Sequence, residues 1–305
     1  MRKILVREVV SYLKSEKIEI KAEGNREIWF DSYSSLDSLT DRKITWVKYW
    51  AGDTIKKLEE KKETVIIGRF EDAPEPVNGS CHILCEDPKM CYFKVLRHFF
   101  MEKKDAVIAE TAIIKTTRIG SGCSVGEYSI LGNDVVLGND VTIGSHVILQ
   151  GKVEVGSHCL IASGTIIGKA GFGYYRNQEG HMEQVPHLGG VTIGDYVEIG
   201  ANTCIDCGTL DNTVIGSYCK IDNLCHIGHN VRLSQDVMVV AGSVICGSCV
   251  IGKGSYISPG AVIKNQTYVG EGSFVGMQTA VIRDMKPQSS VFGVPGKPFK
   301  REYTV

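Results

Sequence analysis

The residue best suited to chemistry is His229, which lies in the segment Ile227-Gly228-His229-Asn230. An imidazole titrates near neutral pH, so a histidine can take a proton from a reacting group under physiological conditions. Gly228 indicates a turn, which would place His229 at the surface and pointing outward. We therefore interpret His229 as a candidate general base, and the simpler alternative is an exposed histidine without a role.

Two cysteines and two histidines raise the question of a metal site. Cys204-x-x-Cys207 is followed by His226-x-x-His229, and the two pairs could lie one above the other in a repeating structure. Two thiolates and two imidazoles can bind zinc. However, a flat strand rarely brings both members of an x-x pair to one ion, and zinc would occupy the candidate base. We predict no metal and no bound cofactor.

Aromatic residues provide candidate binding surfaces. Phe172, Tyr174 and Tyr175 lie in one glycine-containing segment. They could line a pocket or cover a sugar ring, or they could simply hold a loop in place. Trp46 could stack on a nucleobase, a contact worth ~1–3 kcal/mol in single-strand binders. The alternative is that Trp46 belongs to the core of a small domain.

These residues stand in a chain with a strict six-residue period of aliphatic residues. The period runs from Ile113 to Ile167, from Ile193 to Ile205 and from Ile215 to Val281. Three hexapeptides form one coil of a triangular prism, in which the aliphatic residue points inward and coils pair as parallel strands. We therefore predict a mainly β fold, a parallel β-helix of about eight coils, with each coil stabilised by its neighbours.

The chain divides by pattern into three parts. Residues 1–104 mix helical and strand patterns and predict an α+β domain, residues 105–285 form the prism, and residues 286–305 are a short C-terminal segment. The first break in the period predicts a projecting loop over residues 168–192, and the second inserts four residues between Ile205 and Ile215. Long loops of this kind are usually functional or disordered, and the aromatic residues argue for function.

Bulk properties exclude several classes of protein. The formal net charge of −1 gives no reason to expect a nucleic-acid partner. No apolar run is long enough for a transmembrane segment, and the N-terminus lacks the pattern of a signal peptide. The eleven cysteines are an odd number without a secretory signal, so free thiols and a cytoplasmic location are expected.

The motifs resemble the UDP-3-O-acylglucosamine N-acyltransferase family of lipid A biosynthesis. The resemblance covers nearly the whole chain and is most specific from Ile193 to Val231, including Ile205-Asp206 and Ile221-Asp222-Asn223. It implies a left-handed β-helix and a homotrimer. It also implies acyl transfer from an acyl carrier protein thioester to the amine of a nucleotide sugar.

The resemblance also implies roles for individual residues. His229 would be the general base, Asp222 would orient it, and the backbone N–H of Gly247 would stabilise the oxyanion. The candidate substrate-binding residues are Asn202, Asn223, His226, Gln266, Phe172, Tyr174, Trp46 and Tyr49. Several of these depart from the family pattern: Gln266 replaces a histidine, His226 a glutamine, Trp46 a phenylalanine and Tyr49 an asparagine. Cys207 stands where the family has an arginine.

Three functions compete at this point, and a zinc hydratase is a remote fourth that metal analysis would test. The first is N-acyl transfer to a nucleotide-linked amino sugar. The second is acetyl transfer from coenzyme A, which the shorter C-terminal segment favours. The third is a β-helix that binds or scaffolds a partner without catalysis, for which His229 would be dispensable.

Overall fold

The computed structural model describes residues 2–101, 105–295 and 297–299. The chain separates into two compact units, Met1–Lys104 and Asp105–Val305. Gly296 and residues 300–305, which belong to the C-terminal segment defined from the sequence, lie outside the described residues.

The first unit contains three α-helices whose ends and buried faces follow from the sequence. The Glu8 carboxylate accepts the N–H of Leu5 at 2.8 Å and thereby caps the first helix. The Asp87 carboxylate caps the third helix by accepting the N–H of Met90 at 2.9 Å. The helices are α1 (Val6–Ser15), α2 (Gly52–Glu59) and α3 (Pro88–Phe100), with a 3-10 helix at Leu36–Ser38.

A five-stranded sheet completes this unit. Its first pair of strands is antiparallel and its other three pairs are parallel. In spatial order the strands are Lys21–Gly24, Cys81–Leu84, Val65–Gly68, Lys43–Trp46 and Ser32–Tyr33. A separate ribbon pairs Ile4–Leu5 with Trp29–Phe30. The strands Val65–Gly68 and Cys81–Leu84 are buried along their whole length, and all their residues except His82 are apolar or glycine.

The second unit is a three-sided prism of stacked parallel strands, except that the last strand, Lys297–Phe299, pairs antiparallel with Ser290–Phe292. Face 1 comprises Ile113–Ile114, Ile130–Leu131, Ile148–Leu149, Ile166–Ala170, Cys204–Cys207, His226–Ile227, Val244–Ile245, Val262–Ile263 and Ala280–Val281. Face 2 comprises Val136–Leu137, Val153–Val155, Val191–Ile193, Thr213–Ile215, Arg232–Leu233, Val250–Ile251 and Tyr268–Val269. Face 3 comprises Ser124–Val125, Thr142–Ile143, Leu160–Ile161, Glu198–Ile199, Lys220–Ile221, Met238–Val239, Tyr256–Ile257, Phe274–Val275, Ser290–Phe292 and Lys297–Phe299.

The six-residue period fixes the register between coils. Leu131 pairs with Leu149, which is one eighteen-residue coil further along the chain, and both are fully buried. The aliphatic residues of all three faces form one continuous core in the same way. The predicted fold, a mainly β chain with a left-handed parallel β-helix after a small α+β domain, is confirmed.

Both ends of the prism differ from the prediction. Leu131 pairs with Ile114 rather than Ile113, and Ile113 is 51% exposed, so the period begins one residue later than the sequence pattern suggested. At the other end, Ser290–Phe292 pairs in parallel with Phe274–Val275. Part of the C-terminal segment therefore continues face 3, and the prism is longer than the predicted eight coils.

The two interruptions emerge on the same side of face 1. After Ile166–Ala170 the chain leaves the prism as an antiparallel hairpin of Tyr174–Arg176 and Met182–Gln184, and it returns at Val191. The second interruption follows Cys204–Cys207, and the chain rejoins face 2 at Thr213. Within the described residues, no helix is long and apolar enough to cross a membrane.

Candidate active site

His229 lies at the corner where the chain turns from face 1 to face 2. Ile227 is buried in the core and Gly228 ends the strand. Asn230 then turns the chain with a φ of 60°, a left-handed conformation that asparagine tolerates better than most residues. His229 is consequently half-buried at the corner, with its ring on the outside of the prism.

Two glycines pack against the imidazole from different segments. A methyl group on Gly247 would lie 2.6 Å from Nε2 of His229, and one on Gly171 would lie 2.9 Å from Cδ2. Neither distance is possible between real atoms without movement. A side chain at either position would therefore displace the ring, because the backbone approaches the ring closely. Gly171 belongs to the projecting loop, so this loop forms one wall of the site.

The second interruption reaches the same histidine through Asn230. The Asn230 amide oxygen accepts the N–H of Thr209 at 2.8 Å, and its amide nitrogen lies 3.1 Å from Nδ1 of His229. Since the amide oxygen is held by Thr209, the amide nitrogen donates to Nδ1. The neutral ring of His229 therefore carries its own proton on Nε2, the nitrogen closest to Gly247.

Asp206 supplies a carboxylate to this corner. It is 7% exposed, and its Oδ2 lies 3.6 Å from Nε2 of His226. Burial raises the pKa of Asp206, against the opposing effect of the positive charges of His226 and His229. Burial likewise lowers the pKa of His229, assisted by His187 and opposed by Asp206. His229 is thus kept in its neutral form, with an acidic group close by.

The backbone N–H of Gly247 is available to a ligand. At comparable corners a side chain accepts this hydrogen: Asp195 accepts from Ser157, and Asn223 accepts from Ala201, both at 2.7 Å. Within the part of the chain that the structure describes, no acceptor binds the N–H of Gly247. A free amide beside His229 is the arrangement that a developing oxyanion requires.

These groups surround an open cavity of about 360 Å³. Its size suits the reacting part of a substrate rather than a whole nucleotide sugar. It is lined by Phe172, Asp206, His226, Gly228, His229, Cys246, Gly247, Ser248, Asn265 and Gln266.

The structure brings most of the predicted prism residues together. His229, Gly247, His226, Gln266 and Phe172 all line the cavity. Tyr174 packs on Phe172 with ring centroids 4.8 Å apart, which places it on the same loop wall.

Asn202, Asn223 and Asp222 lie elsewhere, at the corner where the chain turns from face 3 to face 1. The Asp222 carboxylate accepts the backbone N–H groups of Asn223 and Ala241, at 2.7 and 3.2 Å. Within one chain Asp222 therefore caps its own corner and does not orient His229. Asp206 is the carboxylate near the base, and the sequence interpretation missed it. The sequence signal that could have identified Asp206 is its position immediately before the four-residue insertion.

Trp46 and Tyr49 belong to the first unit. Trp46 ends the strand Lys43–Trp46 and is half-buried against the core of that unit. Tyr49 is 61% exposed, with Lys48 Nζ 5.1 Å and Arg69 Cζ 5.7 Å from its ring centroid. This surface combines exposed aromatic area with two cations.

The cysteine and histidine spacing has a structural explanation. Cys204 pairs directly with His226 across face 1, as the separation of one coil plus four residues predicts. Cys204 is exposed whereas Cys207 is buried, so their side chains lie on opposite sides of the strand. In residues 2–101, 105–295 and 297–299, no group of three or more His, Cys, Asp or Glu is arranged to hold a metal ion.

Replacing Asp206 by asparagine is expected to stabilise the protein at neutral pH. Because burial raises the pKa of Asp206, its ionisation favours the unfolded chain, and the destabilisation applies above the raised pKa. Thermal unfolding of Asp206→Asn at pH 7 should show a higher Tm than the wild type. The difference should shrink below about pH 4, where the carboxyl is protonated in both states.

Asp211→Asn is the matched control, since Asp211 is an exposed carboxylate in the same insertion. A gain of equal size in both variants, or one that persists in acid, would contradict the assignment of the effect to burial of Asp206.

Comparison with known proteins agrees with this architecture. Residues 116–151 and 134–169 match the family described as bacterial transferase hexapeptide (six repeats). The UDP-N-acetylglucosamine acyltransferase from Campylobacter jejuni superposes with a TM-score of 0.57 at 21% identity, covering 63% of this chain and 74% of that one. The chain therefore shares the β-helix fold of this acyltransferase, and its repeats match the hexapeptide family over residues 116–169.

Curated relatives specify the resemblance further. The chain is 50% identical over 99 residues to UDP-3-O-acylglucosamine N-acyltransferase 2 of Legionella pneumophila (strain Lens), which is 32% of this chain and 29% of the relative. The same protein of strain Paris is 48% identical over 141 residues, 46% of this chain and 41% of the relative. The chain thus spans less than half of these relatives. The resemblance to UDP-3-O-acylglucosamine N-acyltransferases that the motifs predicted is confirmed.

Proposed function

We propose that this protein is an acyltransferase that moves an acyl group from a thioester to the amine of a nucleotide-linked amino sugar. The observation that carries the proposal is the convergence of both repeat interruptions on His229. The first interruption contributes Gly171, and the second contributes the Thr209 contact to Asn230, with Asp206 on the strand that leads into it. A repeat without a function has no need for two insertions that meet at one imidazole.

The cavity contains the groups that acyl transfer requires. The amine attacks the thioester carbonyl, forming the C–N bond, and the carbonyl oxygen becomes an oxyanion that the N–H of Gly247 stabilises. His229 takes the proton released by the amine. Collapse of the intermediate breaks the C–S bond, and the imidazolium returns the proton to the departing thiolate. Asp206 is the nearby carboxyl that favours the imidazolium while it exists.

The Asn230 contact sets a condition on the first proton transfer. In the tautomer described above, Nε2 of His229 carries the proton, and a base acting through Nε2 needs it on Nδ1. We therefore infer that the catalytic complex contains the other tautomer, with the amide of Asn230 turned so that its oxygen accepts from Nδ1. The turn breaks the hydrogen bond that the Thr209 N–H donates to the amide oxygen, so it requires movement of the Thr209 backbone. Thr209 Oγ1, which lies 3.0 Å from the amide nitrogen, can pair with either orientation of the amide.

The first unit supplies the candidate nucleotide site. Trp46 offers a half-buried indole for stacking on a nucleobase, and Tyr49 is exposed close to it in the chain. Lys48 and Arg69 beside Tyr49 provide positive charge suited to a diphosphate. The donor is an acyl carrier protein thioester or an acyl-CoA, and no bound cofactor is required.

Replacing Trp46 by alanine is expected to raise the KM for the acceptor more than it lowers kcat. Stacking on the base contributes equally to the ground state and the transition state, so its loss weakens uniform binding, by ~1–3 kcal/mol. Steady-state kinetics with the acceptor as the varied substrate measure this effect. Trp29→Ala is the control, because Trp29 is a half-buried indole of the same unit that lies between Lys3 and Arg42. An unchanged KM in Trp46→Ala would remove the nucleobase assignment.

We further propose that the protein is a homotrimer. Leu160 and Met238 expose apolar side chains on face 3, beside a cavity of about 350 Å³ that Asp222 also lines. Burial of this surface against another copy would explain its composition. It would also allow the Asp222 corner of one copy to approach the His229 corner of the next. Light scattering coupled to size-exclusion chromatography tests the trimer directly.

A thiol-release assay tests the proposed reaction. Purified protein is mixed with a UDP-amino sugar and, in parallel, with acetyl-CoA, longer acyl-CoAs and acyl carrier protein thioesters. Turnover with long acyl chains on the carrier protein supports the reaction named for the curated relatives. Turnover with acetyl-CoA alone would identify a nucleotide-sugar acetyltransferase. Absence of acceptor-dependent thiol release with every donor would contradict the proposal.

A further inference from the structure

His187, on the returning arm of the projecting loop, packs directly against the candidate base. Its ring lies edge-on to that of His229, with centroids 5.2 Å apart and an interplanar angle of 82°. The Cβ position of Gly171 is 2.9 Å from His229 and 3.1 Å from Nε2 of His187, so the outgoing arm of the loop lies against both rings. Residues on both arms of the loop, Gly171 and His187, therefore contact His229.

The hydrogen bond of His187 fixes the tautomer of its neutral ring. Nδ1 lies 2.7 Å from the carbonyl oxygen of Val185, which can only accept, so Nδ1 carries the proton of the neutral ring. Nε2 is then a lone-pair acceptor, and it is buried without a hydrogen-bond partner among the described residues. A buried acceptor without a hydrogen-bond partner destabilises the fold. The cost suggests that the ring is held there for a reason other than stability.

The returning arm is anchored to the prism beside His229. Leu188 N–H donates to the carbonyl of Thr209 at 2.7 Å, and Val185 N–H donates to the carbonyl of Gly173 at 2.8 Å. Thr209 is also the residue that holds Asn230, the neighbour of His229. The position of the His187 ring is therefore set by the same backbone that sets the His229 ring.

We propose that His187 is a positioning residue that closes the projecting loop over His229 and keeps its imidazole neutral and ready to accept a proton. The catalytic role of His187 rests on the proposed function. The packing of the two rings is independent of that function. Two imidazoles at this separation repel each other when both are protonated, and the loop shields part of the His229 ring from water.

Other groups near His229 also affect its pKa. His226 adds positive charge when protonated, whereas Asp206 favours the imidazolium, and Lys169 acts on Asp206. The Cys246 thiol lines the cavity, and burial raises its pKa, so it remains neutral near pH 7. Burial is the largest cause of the lowered pKa of His229, and His187 is the next.

NMR titration of the histidine side chains tests the proposal without any acyl transfer. The His229 resonance is assigned by its loss in a His229→Ala sample. In His187→Gln, which keeps a polar side chain of similar length but removes the second charge, the midpoint of His229 should move to higher pH. His181→Gln is the matched control, because His181 is an exposed histidine on the same loop and should leave the midpoint unchanged. An unmoved or lowered midpoint in folded His187→Gln overturns the proposal.

The wild-type titration gives a second test that needs no stable variant. If the two rings interact as proposed, the resonances of His187 and His229 each report both protonation steps. Independent single midpoints would overturn the coupling. Trypsin cleavage after Arg176, in the hairpin of the loop, shows whether the loop of His187→Gln remains docked.

Kinetics connect the proposal to the proposed function. The acid limb of kcat/KM should shift to higher pH in His187→Gln and stay in place in His181→Gln, because a higher pKa of His229 leaves less free base in mild acid. A role of His187 in folding alone would lower kcat/KM equally at every pH. If no donor supports turnover while the NMR midpoint still moves, the positioning role stands and the proposed reaction fails.

Discussion

Replacing His229 by alanine is expected to lower the rate of acyl transfer by about 10²–10⁴-fold, with the fold retained. The reason is that the imidazole is the base of the proposed reaction and lies beside the free N–H of Gly247. The ring is half-buried at a corner outside the aliphatic core, so its loss should change the stability of the prism little. The measurement is kcat/KM in the thiol-release assay, together with the Tm of each variant.

The control for this prediction is another corner histidine. His158 lies where the chain turns from face 2 to face 3, has a left-handed φ of 59° and stacks on Tyr196. His158→Ala removes an imidazole from the corner position that Asn230 occupies next to His229, and it should leave kcat/KM close to that of the wild type. Its Tm should fall, because alanine is strained at a positive φ. A His229→Ala protein with near-normal turnover would remove the proposed mechanism and favour a binding or scaffolding role.

Replacing Gly247 by alanine is expected to lower kcat/KM strongly without lowering the Tm. The three atoms nearest to the added methyl group all belong to the ring of His229, at 2.6 to 3.0 Å. The ring must therefore move, and misplacement of a catalytic group by about 1 Å can cost ~10²-fold in rate. The backbone is not in the left-handed region, so alanine fits the main chain and can raise stability by ~0.4–1 kcal/mol.

Gly173→Ala is the matched control for Gly247→Ala. Gly173 lies in the projecting loop, and its nearest atom to an added methyl group is Cε1 of His187 at 3.4 Å, an ordinary contact. We expect nearly wild-type kcat/KM for Gly173→Ala and a large loss for Gly247→Ala, with equal or higher Tm in both. Unchanged activity in Gly247→Ala would show that neither the ring position nor the space beside the free N–H is critical.

The architecture was predictable because its cause is local and repeated. An aliphatic residue at every sixth position has one way to be buried, which is to point inward on each face, as Leu131 and Leu149 do. The same period located both interruptions before any coordinates. The start of the period was wrong by one residue, because Ile113 and Ile114 are both aliphatic and only pairing with Leu131 distinguishes them.

The site was predictable only in part. His229 was found from its residue type and position, whereas Gly247 and Gln266 were found from the resemblance. All three line one cavity, because Gly247 follows His229 by eighteen residues and Gln266 follows Gly247 by nineteen. Asp222 was assigned to the same site from the resemblance, but the period places it one corner earlier. The roles assigned to all of these residues remain predictions.

The sequence alone determined the prism, its corners and the two places where the chain leaves it, because these depend on a periodic pattern that each coil repeats. Only the tertiary structure decided which groups meet at His229. Asp206 reaches the corner because its strand continues beyond the regular hexapeptide, and His187 reaches it because the loop folds back onto Thr209. Both approaches are long-range contacts, set by how two insertions of unrelated sequence pack, and no periodic pattern encodes such packing.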